Sequence, residues 1–173
     1  MLTTCRFCDG WTRLHKAVIS RHAIRPGDQG VARRGNWVFN PNAGGKPIPE
    51  LVRRRTEARL RRYAEEHYAG SYTRLEIRLR GQFCYIDAYT EPTEPGPNWP
   101  PANWRETREE YMERLRKTPI HLCRLRYRGD EERWGFAFYA YSSDKYELSI
   151  FPSGQFFGPP EDAFEVSANV HLW

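Results

Sequence analysis

Apolar and polar residues alternate through Tyr72–Tyr89, Y-T-R-L-E-I-R-L-R-G-Q-F-C-Y-I-D-A-Y, with the two-residue period of a half-buried strand. Gly81-Gln82 breaks the alternation once, which predicts a hairpin whose Gly-first, two-residue loop suits a type II′ turn. Pairing Arg80 with Phe83 fixes the register. One face then carries Leu75, Ile77, Leu79, Cys84, Ile86 and Ala88. The other sets Arg74, Glu76, Arg78 and Arg80 opposite Tyr89, Asp87, Tyr85 and Phe83. A slip by one residue would mix the two sets, so the pattern specifies this register strongly.

Upstream, Pro49 is placed to open a helix at its first turn, where a missing N–H costs nothing. Gly70 is placed to stop it. The stripe Val52, Thr56, Leu60, Tyr63 and His67 faces the core, and Arg53, Arg54, Arg61 and Arg62 lie off it. Downstream, Glu91–Ala102 has five prolines and reads as a semi-rigid connector,, with Trp99 folded back as an anchor. Asn103-x-x-Glu106 resembles a capping box for a helix to Lys117, ended by Thr118-Pro119. Strands Ile120–Arg128 and Arg133–Tyr141 then pair to set Leu125 beside Phe136, Cys123 beside Phe138 and Tyr127 beside Trp134. For a further strand, Tyr146–Phe151, the register placing Phe138 beside Leu148 and Phe136 beside Ile150 keeps the apolar residues together. It implies a three-residue loop Ser142-Ser143-Asp144; the register pairing Tyr139 with Leu148 and Ala137 with Ile150 would put both aliphatic residues on the polar side and is rejected. A closing helix from Pro159 to about Val170 begins with Pro-Pro-Glu-Asp, which suits a helix N-terminus,.

These elements predict an α+β fold: a single antiparallel sheet of about five strands, with helices packed on one face. Residues 1–47 show no period and read as an irregular arm or small subdomain, leaving 48–173 as the α+β domain. Arg78-x-Arg80-Gly81 recurs as Arg126-x-Arg128-Gly129, each followed by an aromatic strand; this is a faint duplication or simply hairpin grammar.

Composition supports a real core. Mean hydropathy is −0.80 and 28% of residues are charged, but 14% are aromatic, too many for a disordered chain. No apolar run approaches the ~18 residues of a membrane span, and the first ten residues lack a signal-peptide layout, so a cytoplasmic location is expected. Cys5, Cys8, Cys84 and Cys123 do not make a disulfide framework in a chain of this size. Cys84 and Cys123 fall on the apolar strand face, as small hydrophobes.

Charge is distributed unevenly: residues 1–80 hold 17 Lys/Arg against 7 Asp/Glu, and residues 81–173 hold 10 against 15. A basic first half suits a polyanion, although 23 of the 27 basic residues are Arg, a bias that genome base composition also produces.

The order of elements, with Asn40-Pro41-x-x-Gly44-Gly45, Phe83-Cys84-Tyr85-Ile86-Asp87-Ala88-Tyr89, Leu125-Arg126-Tyr127 and the tail Gly158 to Phe164, resembles a group of uncharacterised bacterial proteins. The resemblance covers residues 36–173. It implies that this stretch is the domain and implies no activity.

Three constellations carry chemistry. The polar sheet face holds Arg74, Arg78, Arg80, Tyr85 and Tyr89, and by alternation Arg124, Arg126, Arg128, Tyr139, Tyr141 and Lys145. Guanidinium groups take phosphates and aromatic rings stack bases. With the helix arginines 53, 54, 61 and 62, this face predicts a small basic nucleic-acid-binding protein; the alternative is a face covered by another element or laced by cross-strand pairs. Glu76 and Asp87 stand directly opposite, an unfavourable pairing. Either Arg74 and Arg78 compensate, or one acid has a raised pKa, or the pair binds a divalent metal as a nuclease would. Finally, Cys5, Cys8, His15 and His22 could furnish a tetrahedral zinc site, although the six residues between Cys8 and His15 and between the histidines fit no standard finger. Gly44-Gly45-Lys46 is not a phosphate loop, since Pro47 stands where Ser/Thr is needed. A protein-interaction module, docking the basic helix or the Pro-rich segment on an acidic partner, is the third functional expectation.

Overall fold

In the computed structural model, residues 43–100 and 104–172 are described, all within one compact unit, Phe39–Trp173. Cys5, Cys8, His15 and His22 lie outside the described residues. The elements are α1 (Glu50–Tyr68), β1 (Arg74–Arg80), β2 (Phe83–Tyr89), α2 (Arg108–Lys117), β3 (Ile120–Tyr127), β4 (Trp134–Ala140), β5 (Lys145–Ser149), the two-residue β6 (Phe157–Gly158) and α3 (Pro160–His171). The strands form one antiparallel sheet in the order β1-β2-β3-β4-β5, with β6 also pairing β4. This is the expected α+β class.

The first hairpin has the register its alternation demands, from Arg74 opposite Tyr89 to Arg80 opposite Phe83. Gly81 sits at φ 60°, the positive value that the first position of a type II′ turn requires. Leu75, Ile77, Cys84, Ile86 and Ala88 are buried on one side of it. The β3–β4 pairing is also as expected: Cys123 opposite Phe138, Leu125 opposite Phe136, Tyr127 opposite Trp134.

Helices α1 and α3 supply the layer behind the apolar face. Val52, Thr56, Leu60 and Ala64 form the buried stripe of α1. Ala163, Phe164 and Ala168 of α3 join the same cluster as Leu125, Trp134 and Phe136. Each fully buried Leu, Ile or Phe contributes roughly 1.5–3 kcal/mol. Tyr63 and Tyr68 of α1 pack edge-on to Phe164, with centroids 6.2 and 5.6 Å away, and donate to Glu165 and Asn169 of α3. The arginines of α1 are largely paired with acids: Arg54 with Glu50 and Arg61 with Glu57 within the helix, and Arg59 with Glu132 and Glu161 outside it.

The segment before α1 belongs to the sheet's edge. Lys46 N–H donates to Tyr127 O and Ile48 N–H to Gly81 O, tying residues 46–48 across the ends of both hairpins. A Cβ at Gly45 would lie 2.4 Å from the Gln82 side chain, so glycine permits the close crossing.

Two expectations need correction. Helix α2 starts later than Asn103-x-x-Glu106 implies. The capping box is Thr107 and Glu110, with both reciprocal bonds formed. Glu106 instead bonds Arg114 at 2.9 Å. The same Ser/Thr-x-x-Glu grammar occurs four residues on, and the hydroxyl of Thr107 wins. Trp99 does fold back, within 5.0 Å of Tyr111 and 6.3 Å of Trp104.

The second correction is the β4–β5 register, which has Ala137 opposite Leu148, Phe138 opposite Glu147 and Tyr139 opposite Tyr146. This is one residue away from the apolar match of Phe138 with Leu148. The core side of the strand end is filled by Ser149 and Phe151, 2% and 1% exposed, with Phe151 5.7 Å from Phe136, while Ile150 is exposed. One large ring outweighs two aliphatic side chains. The loop is four residues, 141–144, with Asp144 at φ 53° and its carboxylate accepting from Tyr139.

Candidate functional site

On the face opposite α1 and α3, the sheet gathers residues from five strands. Arg78, Tyr85, Arg124, Ala137 and Leu148 lie in one row from β1 to β5. Phe83, Arg126 and Gly135 form the next, and Glu76, Asp87 and His121 the one before. The side chains pack as layered cations and rings. Arg124 lies over Phe83 (4.8 Å) and Tyr146 (5.1 Å), Arg126 over Phe83 (5.0 Å), Arg78 over Tyr85 (5.7 Å) and Arg74 over Tyr89 (3.8 Å). Tyr85, Tyr139 and Tyr146 continue the ring network, with Tyr146 5.7 Å from Tyr85 and 5.0 Å from Tyr139. Gly135 and Ala137 leave the middle of β4 low. Burial, and then the charges of Arg128 and Arg124, push the Arg126 guanidinium pKa down.

Asp87 is the anchor of this face. It is 1% exposed, and a carboxylate so placed needs partners on both oxygens. Arg78 Nη2 donates to Oδ2, and His121 Nδ1 lies 2.6 Å from Oδ1. Glu76 has separate company: Tyr89 Oη donates to it at 3.1 Å and Arg78 Nε is 3.7 Å away. The opposed acids are therefore compensated by Arg78, one of the outcomes their pairing allowed. Among the described residues no group of three or more His, Cys, Asp and Glu converges as a metal site.

His121 reaches Asp87 through a β-bulge. The β2–β3 register runs Cys84–Leu125, Tyr85–Arg124, Ile86–Cys123, then shifts so that Asp87 faces His121 and Ala88 faces Ile120. Leu122 is the extra residue, and it and Cys123 are both fully buried. Unbroken alternation would send His121 to the apolar side. The bulge turns it onto the Arg/aromatic face, as bulges commonly re-aim a side chain. Its ring lies 4.5 Å from Tyr139 and 6.5 Å from Tyr146, and its backbone N–H donates to Tyr141 Oη at 2.9 Å.

The expected site residues therefore divide. Arg74, Arg78, Arg80, Tyr85, Tyr89, Arg124, Arg126, Tyr139 and Tyr141 share this side of the sheet or its rim. Arg128, just beyond β3, donates to Ala43 O and lies 5.0 Å from the Phe157 ring. Arg53, Arg54, Arg61 and Arg62 ride on α1, on the other side of the sheet. Lys145 pairs weakly with Glu147 at 3.8 Å.

Alternation alone missed His121 and Tyr146. Two consecutive apolar residues, Leu122-Cys123, inside an otherwise alternating strand were the available signal of the bulge. Phe151 was the signal for the β5 register that brings Tyr146 to this face. Burial raises the Tyr146 pKa, with the Asp87 charge adding to it, so its hydroxyl stays protonated.

A scan of protein-family models finds no match to this chain, and searches of curated proteins and of solved structures return none either. Among the described residues no helix is long and apolar enough to cross a membrane.

Proposed function

We propose that this protein binds single-stranded nucleic acid across the Arg/aromatic face of its sheet. The observation that carries the reading is the interleaving itself: guanidinium groups of Arg78, Arg124 and Arg126 layered with the rings of Tyr85, Phe83 and Tyr146 on one sheet surface. A strand laid there would exchange cation–ring contacts for phosphate contacts and stack its bases on the exposed ring edges and faces, each stack contributing ~1–3 kcal/mol. Five arginines, Arg74, Arg78, Arg80, Arg124 and Arg126, set against Glu76 and Asp87 give the surface the sign that a polyanion needs.

The metal-dependent alternative built on Glu76 and Asp87 draws no support from the geometry, because both acids spend their oxygens on Arg78, His121 and Tyr89. Filter binding of short single-stranded oligonucleotides at several salt concentrations tests the proposal. Affinity should fall steeply with salt, and Tyr85→Ala should weaken it about tenfold or more, from the stacking energy above. No retention at about 50 mM salt, or a Tyr85→Ala protein that binds like wild type, removes the reading.

A further inference from the structure

The Asp87–His121 pair goes beyond what a binding surface requires. A carboxylate could be satisfied by Arg78 and a backbone amide, yet the chain spends a β-bulge at Leu122 to bring an imidazole against it. Asp87 accepts from Nδ1–H, which fixes the tautomer and leaves Nε2 as the ring's acceptor. Nε2 has no hydrogen-bond partner among the described residues. Arg78 shares the Asp87 carboxylate with this ring, and Tyr146, whose ring centroid is 6.5 Å from the imidazole, lies under the Arg124 guanidinium at 5.1 Å and has no side-chain hydrogen bond among the described residues. Base, orienting carboxylate, anion-stabilising cations and proton donor are the set that acid–base cleavage of a phosphodiester calls for.

We propose that His121, oriented by Asp87, is the general base of an RNA-cleaving site on this face, acting on a strand held as in the preceding reading, on which this inference rests. RNA carries its own nucleophile. His121 Nε2 takes the proton of a 2′-hydroxyl, the 2′-oxygen forms a bond to the adjacent phosphorus, and the bond from phosphorus to the 5′-oxygen breaks. Tyr146 gives its proton to that departing oxygen. The products are a 2′,3′-cyclic phosphate and a 5′-hydroxyl end, with no net change of charge. Transfer of the proton from imidazolium to tyrosinate through solvent resets the site. Arg78 and Arg124 flank the phosphorus, where they oppose the charge that builds on its free oxygens. Burial keeps Tyr146 protonated, as a donor must be. Asp87 acts as a positioning residue through His121.

The test uses the purified full chain, excess EDTA and two end-labelled oligonucleotides of one sequence, one all-ribose and one with 2′-deoxyribose throughout. Both should bind. Only the first should be cut, leaving cyclic-phosphate and 5′-hydroxyl ends. His121→Gln should lower the rate by about 10²-fold or more. Asp87→Asn should lower kcat more than it raises KM, and Asp87→Glu should recover part of the loss. Bound but uncut RNA overturns this inference and leaves the binding reading standing; binding of neither strand overturns both. Cleavage unchanged in His121→Gln, or cleavage of the deoxy strand, assigns the activity to something other than this site and overturns the inference too.

Discussion

At the scale of single residues, burial decides what each polar group does. Thr56 sits on the buried stripe of α1 at 0% exposure, and its Oγ1 has no hydrogen-bond partner among the described residues. An unsatisfied buried hydroxyl costs about 1–3 kcal/mol. Thr56→Val, close to isosteric, should therefore raise stability by about 1 kcal/mol, read as a higher urea midpoint at unchanged slope. Cys123 is the converse case, a thiol well suited to its place. Burial pushes its pKa up to about 12 from an ordinary 9.0, against a small opposing hydrogen bond from Ser167. Cys84 is pushed up by burial as well. The unfolded chain ionises these thiols first, so their contribution is fully present below pH 9.0 and is lost as the pH rises through the folded-state values, which for Cys123 means toward about 12,. Stability measured by denaturant titration should fall over that window by at most about 1.4 kcal/mol per pH unit per thiol. A Cys84→Ala/Cys123→Ala protein should lose part of that slope. Tyr63, raised to about 12 mainly by burial, adds a component of the same sign.

At the scale of elements, the informative cases are those where a local rule had two answers. Asn103-x-x-Glu106 and Thr107-x-x-Glu110 both read as capping boxes, and the sequence does not rank them. The choice falls to the position from which Trp104, Tyr111 and Trp99 can cluster and Met112 can be buried. Thr107→Ala should cost α2 about 1 kcal/mol, while Asn103→Ala should cost little; thermal unfolding of the two variants separates them. Strand β5 shows the same ambiguity, because apolar side chains of both parities, Leu148 and Phe151, compete for one core. The larger ring takes it. Gly158 belongs to that choice: a Cβ there would lie 2.6 Å from the Phe151 ring. Gly158→Ala should destabilise the protein by more than the few tenths of a kcal/mol of a neutral surface change, visible as a lower denaturation midpoint.

At the scale of the whole molecule, the sheet separates two kinds of basic surface that the sequence shows as one. The arginines of α1 stand on the helical side, tied to Glu50, Glu57, Glu132 and Glu161, whereas Arg78, Arg124 and Arg126 stand on the aromatic side. Exposed i,i+4 pairs are weak, ~0.3–0.5 kcal/mol, so this is a matter of location rather than of strong neutralisation. Charge reversal at Arg54 and Arg62 should therefore change oligonucleotide affinity less than Arg124→Ala does, and should leave the slope of log affinity against log salt closer to wild type. Equal losses from both would place the polyanion on the helical side.

The hairpin at residues 74–89, its register, the β3–β4 pairing, three helices and the α+β class were all legible in the sequence, because each rests on local periodicity or on a turn residue of fixed conformation. Alternation could also say that arginines and tyrosines share a face. It could not say that His121 joins them, since a bulge changes parity midway along a strand and shows only in how β2 meets β3. Nor could it bring Tyr146 to that face, since register at the sheet edge was settled by which ring fills the core. Which acid is buried was equally out of reach. Glu76 and Asp87 look alike in sequence, and only the packing of β3 beside β2, and not beside β1, makes Asp87 the carboxylate held between Arg78 and His121. Local chemistry wrote the strands and helices; contact between strands distant in sequence assembled the site.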